Sequence, residues 1–220
     1  MVSVAAHAYP WDVLGDPGFA VRVEDLGVES VTLAAAYHST RAATPLHPKR
    51  QLVDAAHSAL YRPTRTAAWS GSRLRPAAAD WMREDDPFAE AAQVLREAGL
   101  SVSAWVVLTH NSLLGWLFPD LAVRNCFDER YGYALCPAHA EVRAYAATLA
   151  AEAVRDVEVD AVSLEACGQL GVAHGGHHEK TDGAWTAEAA RLLSICCCDA
   201  CRDAWRARGL DGDEVLARLR

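Results

Sequence analysis

The feature that most constrains the fold is a segment closed as a helix at both ends that runs straight into an apolar strand. Asp86 suits an N-cap, Pro87 the first helical position and Gly99 the position just past the helix end. Between them Phe88, Ala91, Ala92, Leu95 and Ala98 recur at helical spacing, which predicts a helix over residues 87–98. Residues 100–109 follow as a nearly all-apolar run, the pattern of a strand buried on both faces of a parallel sheet. His110-Asn111 closes it.

The same order returns downstream. Pro137 opens a helix that runs to about Arg155, with Val142, Tyr145, Ala146, Leu149 and Ala153 at the right spacing, and residues 157–164 form the next strand, ending at Glu165. Upstream, residues 2–9 and Ser30–Tyr37 read as strands, and residues 21–26 as a short helix that Gly27 ends. Residues 51–61 fit either a strand or a short helix. Residues 38–50, 64–86 and 111–136 read as loops; the last is long and aromatic, with Trp116, Phe118, Phe127, Tyr131 and Tyr133. Helical segments are expected over about 186–207 and 213–219.

Strands that alternate with helices pair in parallel through right-handed crossovers, as a barrel or as an open doubly wound sheet. No Gly-rich phosphate fingerprint follows the first strand, which weighs against a dinucleotide-binding sheet. About four or five strands fall short of the eight strands and roughly 250 residues of a complete barrel. The expected fold class is therefore α/β, an incomplete (β/α) barrel. It would be a single partial domain over residues 1–220, with a helical cysteine-containing segment at about 186–208.

A chain of 220 residues, 51% hydrophobic, can bury one substantial core. A net charge of -8 and the lack of a basic stripe argue against a nucleic-acid surface, so no nucleic-acid partner is expected. The N-terminal residues lack a charged leader followed by an uninterrupted apolar segment, and no stretch reaches the length of a membrane span. The expected location is the cytoplasm, with no membrane partner. The seven cysteines, an odd number without an export signal, are expected as reduced thiols.

In parallel α/β folds the chemistry sits where loops converge at the carboxyl ends of the strands. Those ends carry His7 and Tyr9, Tyr37 and His38, His110 and Asn111, then Glu165. Glu165 comes directly off an apolar strand and would be partly desolvated, which suits general acid work; the alternative is a carboxylate paired with a neighbouring Arg or His. Glu165 and His110 are the catalytic candidates. His7, Tyr37, His38 and Asn111 are candidate substrate contacts. So are His174, His177 and His178 in the following loop, whose spacing matches no zinc motif.

Cys196, Cys198 and Cys201 form a C-x-C-x-x-C run, and C-x-x-C is half of a zinc site. Cys126, Cys136 or Cys167 would have to supply the fourth ligand; otherwise the run is simply reduced thiols. Three consecutive cysteines, Cys196 to Cys198, cannot all face one way. Zinc is the one cofactor the sequence brings into view.

The stretch Cys136-Pro-Ala-His-Ala-Glu-Val-Arg-Ala-Tyr145, with Val159-Asp160-Ala-Val-Ser-Leu-Glu165 after it, resembles bacterial proteins with glycoside-hydrolase-like TIM barrels. Their pattern is a Pro-x-His/Asn-x-Glu-Val-Arg helix start, then Val-Asp-Gly-hydrophobic and an acidic residue. Asp160 and Glu165 fit it, with Ala161 in place of Gly, and the cysteine run followed by Arg202 has a counterpart there too. The resemblance is clearest over residues 86–205. It implies the N-terminal half of a barrel acting on or binding a carbohydrate, with Glu165 as general acid. Leu164 stands where many retaining enzymes carry Asn, and the second carboxylate that hydrolysis needs would come from a later strand. A homodimer or a missing C-terminal half would then complete the barrel. The alternatives are a metal-dependent sugar isomerase or hydrolase, and a non-catalytic sugar-binding or interaction module.

Overall fold

The computed structural model describes residues 3–174 and 179–220. In chain order the elements are β1 (Ala5–Ala8), α1 (Pro10–Val13), α2 (Phe19–Asp25), β2 (Ser30–Tyr37), β3 (Thr40–Ala43), β4 (Leu52–Ala55), β5 (Ala59–Leu60) and β6 (Ala77–Ala78). Next come α3 (Pro87–Glu97), β7 (Ser101–Val107), α4 (Ser112–Leu117), β8 (Ala122–Arg124), β9 (Arg130–Leu135), α5 (Ala140–Val154) and β10 (Ala161–Glu165). They are followed by α6 (Ala187–Leu193), α7 (Asp199–Arg206) and α8 (Gly212–Leu219). No helix of the described residues is long and apolar enough to cross a membrane. The chain divides into two compact units, Met1–Leu108 with Tyr145–Glu165, and Thr109–Ala144 with Ala166–Arg220.

The first unit is mixed α/β around a parallel sheet. β1 pairs with β2, β2 with β7 and β7 with β10, all in parallel, as the helix-strand order requires. Short β5 runs antiparallel to the last residues of β2, Ala36 and Tyr37, so residues 51–61 supply strands rather than a helix. Residues 38–50 are not wholly loop, because β3 pairs with β4 as an antiparallel hairpin. The strand expected over residues 157–164 begins later and includes Glu165 as its last residue. Among the described residues β10 pairs with β7 alone, and the sheet is not closed.

The end signals of α3 act as their chemistry dictates. The Asp86 carboxylate accepts from the Ala89 amide at 3.2 Å, and Gly99 takes a φ of +85°, where a side chain would be strained. Arg62 then ties this helix start to α5. Its buried guanidinium donates to both Asp86 oxygens, at 2.8 and 3.0 Å, and to the carbonyls of Ala153 (3.1 Å) and Arg155 (2.9 Å) at the C-terminal end of α5. The position suits a cation twice over, facing a carboxylate and the negative end of a helix.

Side-chain alternation gives the sheet two unlike faces. On one face Val31, Leu33, Val102, Ala104 and Val106 are fully buried. The register puts His7, Thr32, Ala34, Ser103, Trp105, Ser163 and Glu165 on the other. Residues 100–109 are therefore not buried on both faces as expected. Ser101 is exposed and Ser103 and Trp105 only half-buried, because the two serines lie in the strand at period two.

The second unit contains what reads as a loop over residues 111–136. Asn111 caps α4 by accepting from the Leu114 amide at 2.9 Å, and β8 and β9 form an antiparallel hairpin. Elements this short leave no period in a sequence window. Gly115 allows the close approach of α4 to β9, since a Cβ there would lie 2.1 Å from the Gly132 carbonyl oxygen. The helix expected over 186–207 is broken into α6 and α7, with Cys196 and Cys197 between them. The core of this unit joins Val123, Tyr131 and Ala134 of the hairpin to Cys136, Cys196, Cys198 and Cys201.

Candidate functional site

In the first unit the carboxyl ends of the parallel strands bring together a carboxylate and a wall of rings. Glu165 ends β10, and its Oε2 accepts from Trp105 Nε1 at 2.6 Å. The register explains the meeting, because Ser163 lies opposite Trp105 and Glu165 stands one step further along the same face. His7 meets Trp105 edge-on at 4.8 Å between ring centroids, and Tyr37 meets it at 4.5 Å. Tyr37 also stacks on His38 at 4.1 Å and makes an edge contact with Tyr9 at 4.9 Å. The His38 Nδ1 lies 2.7 Å from the Ser39 carbonyl.

Burial, together with the hydrogen bond to Tyr37, holds the Tyr9 phenol well above its ordinary value. Burial likewise raises Tyr37. Both phenols stay neutral and offer hydroxyls as hydrogen-bond partners. Glu165 itself is exposed, not partly desolvated as expected, as are all five residues of β10, which no described residue of this unit buries. His7, Tyr37, His38 and Glu165 thus form one connected group. Trp105 is the member hardest to see in the sequence. Its signal was the period-two alternation Ser101, Ser103, Trp105, masked by the apolar residues between them.

The aspartate that fits the resemblance has a different task. Asp160 Oδ2 accepts from the Val102 amide at 2.8 Å and pairs with Arg96 at 3.2 Å, clamping the amino-terminal ends of β7 and β10. A cavity of about 430 Å³ lined by Ala92, Arg96, Glu97 and Glu158 lies at this same end. That is the end of a parallel sheet given to stability rather than chemistry.

In the second unit His110, His174 and Tyr133 form their own group. The Nε2 atoms of His110 and His174 are 3.2 Å apart, so one ring donates to the other, and the Tyr133 and His174 rings are 5.2 Å apart. Tyr133 donates its hydroxyl to the Gly171 carbonyl at 2.8 Å, and burial pushes its phenol up to about 12. Asn111 is buried, with its side-chain oxygen engaged in the α4 cap. His177 and His178 lie outside the described residues.

Among the described residues the ligand-type groups that converge in threes or more are four thiols of the second unit. The sulfurs of Cys136, Cys196, Cys198 and Cys201 all lie within 4.8 Å of one another, and all four residues are buried. Cys126 and Cys167 do not join them.

No family model matches this chain. No curated protein matches it either. Solved structures do share its fold, and they are carbohydrate-active enzymes by description. Alpha-L-fucosidase isoenzyme 2 from Paenibacillus thiaminolyticus superposes with a TM-score of 0.60 at 17% identity, over 100% of this chain and 28% of that one. The PgaB (BpsB) glycoside hydrolase domain from Bordetella bronchiseptica gives 0.57 at 14% identity, over 99% of this chain and 53% of that one. The chain thus has a glycoside-hydrolase-like fold and spans about a quarter to a half of the length of these neighbours.

Proposed function

We propose that this chain is the first half of a (β/α) barrel of glycoside-hydrolase type, one partial domain acting on or binding a sugar, with Glu165 as general acid. The observation that carries the reading is the carboxylate at the carboxyl end of the fourth parallel strand, hydrogen-bonded to Trp105 and flanked by His7, Tyr37 and His38. An indole and a phenol inclined at 66° offer apolar faces for sugar C–H groups, while the phenol hydroxyls and imidazoles offer polar contacts to sugar hydroxyls. His110 is proposed as a second catalytic group with His174 as its proton partner, and Asn111, His177 and His178 as substrate contacts. The second carboxylate of glycoside hydrolysis would come from strands that close the barrel, in a second copy or in a further segment. The seven cysteines, free among the described residues, suit a cytoplasmic setting.

The test is turnover of a panel of aryl glycosides by the protein and by Glu165→Gln. The variant keeps the shape and the contact to Trp105 but cannot donate a proton. Turnover is expected to fall at least about 100-fold with an unchanged unfolding midpoint. Unchanged turnover removes Glu165 from the role, and saturable quenching of tryptophan fluorescence by sugars without turnover selects the non-catalytic binding module.

A further inference from the structure

We propose that Cys136, Cys196, Cys198 and Cys201 bind one zinc ion in a closed, structural tetrathiolate site that holds the second unit together. A zinc–sulfur bond of about 2.3 Å in tetrahedral geometry places sulfurs about 3.8 Å apart. Here Cys136 Sγ is 3.5 Å from Cys201 Sγ and 3.7 Å from Cys198 Sγ, and all four lie within 4.8 Å. That spacing is too long for a disulfide, whose sulfurs sit about 2.05 Å apart, and it leaves room for a single ion rather than a multi-iron cage.

The backbone around the thiols is arranged as it is around metal-bound thiolates. The Arg124 amide donates to Cys196 Sγ at 3.4 Å, and the amide of Cys201 donates to the Cys198 sulfur. Cys198 is the N-cap of α7, so its sulfur also lies at the positive end of that helix. The Gln169 side chain fixes the loop by accepting from the Cys196 amide at 2.8 Å. The two amide donors and the helix end favour negative charge on sulfur, and the Gln169 contact orients the loop that carries Cys196. Cys197 lies outside the converging set, and its thiol donates to the Ile195 carbonyl at 3.5 Å.

The surroundings explain why an ion is needed. The core of this unit is assembled from the four cysteines, a short hairpin and a few flanking side chains, without the large aliphatic layer that the first unit has. A core that small is usually stapled by a metal or disulfides. With four protein ligands the ion has no open position for substrate, so its role is structural. Binding forms four zinc–sulfur bonds and sends the thiol protons to the buffer, which ties the stability of this unit to zinc.

The test is elemental analysis of the reduced, purified chain after dialysis against buffer with added zinc, paired with cobalt(II) substitution. One zinc per chain is expected, together with the intense charge-transfer and visible bands of tetrahedral cobalt–thiolate. Cys197→Ser and Cys126→Ser should keep both readings, whereas Cys136→Ser and Cys198→Ser should lose the bound zinc or weaken it at least about tenfold. Should the serine variants fail to fold, the cobalt spectrum of the unmodified chain decides alone. A folded chain that takes up no zinc, stoichiometric iron in its place, an octahedral cobalt spectrum, or zinc retained unweakened in Cys198→Ser would each overturn the proposal.

Discussion

Arg62 illustrates how one residue fixes the first unit, and it stands in a stretch whose sequence shows no period. Its guanidinium is 4% exposed and spends its donors on the Asp86 carboxylate and on carbonyls at the end of α5. Arg62→Ala should cost about 3–5 kcal/mol, read from urea unfolding, because it leaves a half-buried carboxylate and helix carbonyls without a partner. Arg62→Lys should recover little of this, since Nε holds the Asp86 carboxylate while a second nitrogen of the planar guanidinium holds the α5 carbonyls, and a single ammonium cannot span both. Nearby, the Arg65 guanidinium bound to Glu152 holds that carboxyl below its ordinary 4.5. The unfolded chain therefore binds more protons than the folded chain around that pH. The contribution of Glu152 is complete above about pH 4.5 and is lost as pH falls through the lower folded value. Arg65→Met should flatten this acid limb of stability measured by urea midpoint against pH.

Strands of one sheet differ in what they hold. Leu33 of β2 is fully buried, whereas Leu164 of β10 is 50% exposed although it ends an equally apolar run. Leu33→Ala should destabilise by about 2–5 kcal/mol, the ordinary cost of a cavity in a packed layer. Leu164→Ala should stay below about 1 kcal/mol, because water already reaches the side chain. Equal losses in the two variants would mean that β10 is covered in solution, by a second copy or another segment. The α3 boundaries were legible because Asp86, Pro87 and Gly99 act through their own backbone and the next turn. The two-faced character of β7 was not, since alanine and serine fit either face and only the neighbouring strands decide which one is covered.

At the scale of the whole molecule, the two units rest on different physics, an aliphatic sheet in one and four thiols in the other. A zinc chelator should therefore act unevenly. In hydrogen exchange, amides of β8, β9 and α7 should lose protection after chelation, while those of β2 and β7 keep theirs. Uniform loss across both units, or no change in either, would contradict that division of labour.

The sequence by itself determined that the longer strands pair in parallel, and it determined the ends of α3, because caps, glycines and period act over a few residues. It also placed His7, Tyr37, His38 and Glu165 at strand ends, and the registers then brought these four into one group with Trp105. Only the tertiary structure decided that Trp105 meets Glu165, sixty residues on, and that Cys136 rather than Cys126 or Cys167 completes the set with Cys196, Cys198 and Cys201. It also turned the stretch read as a long loop into a capped helix and a hairpin. Contacts between distant segments depend on register and on which faces pack together, and neither leaves a mark in the local pattern of residues.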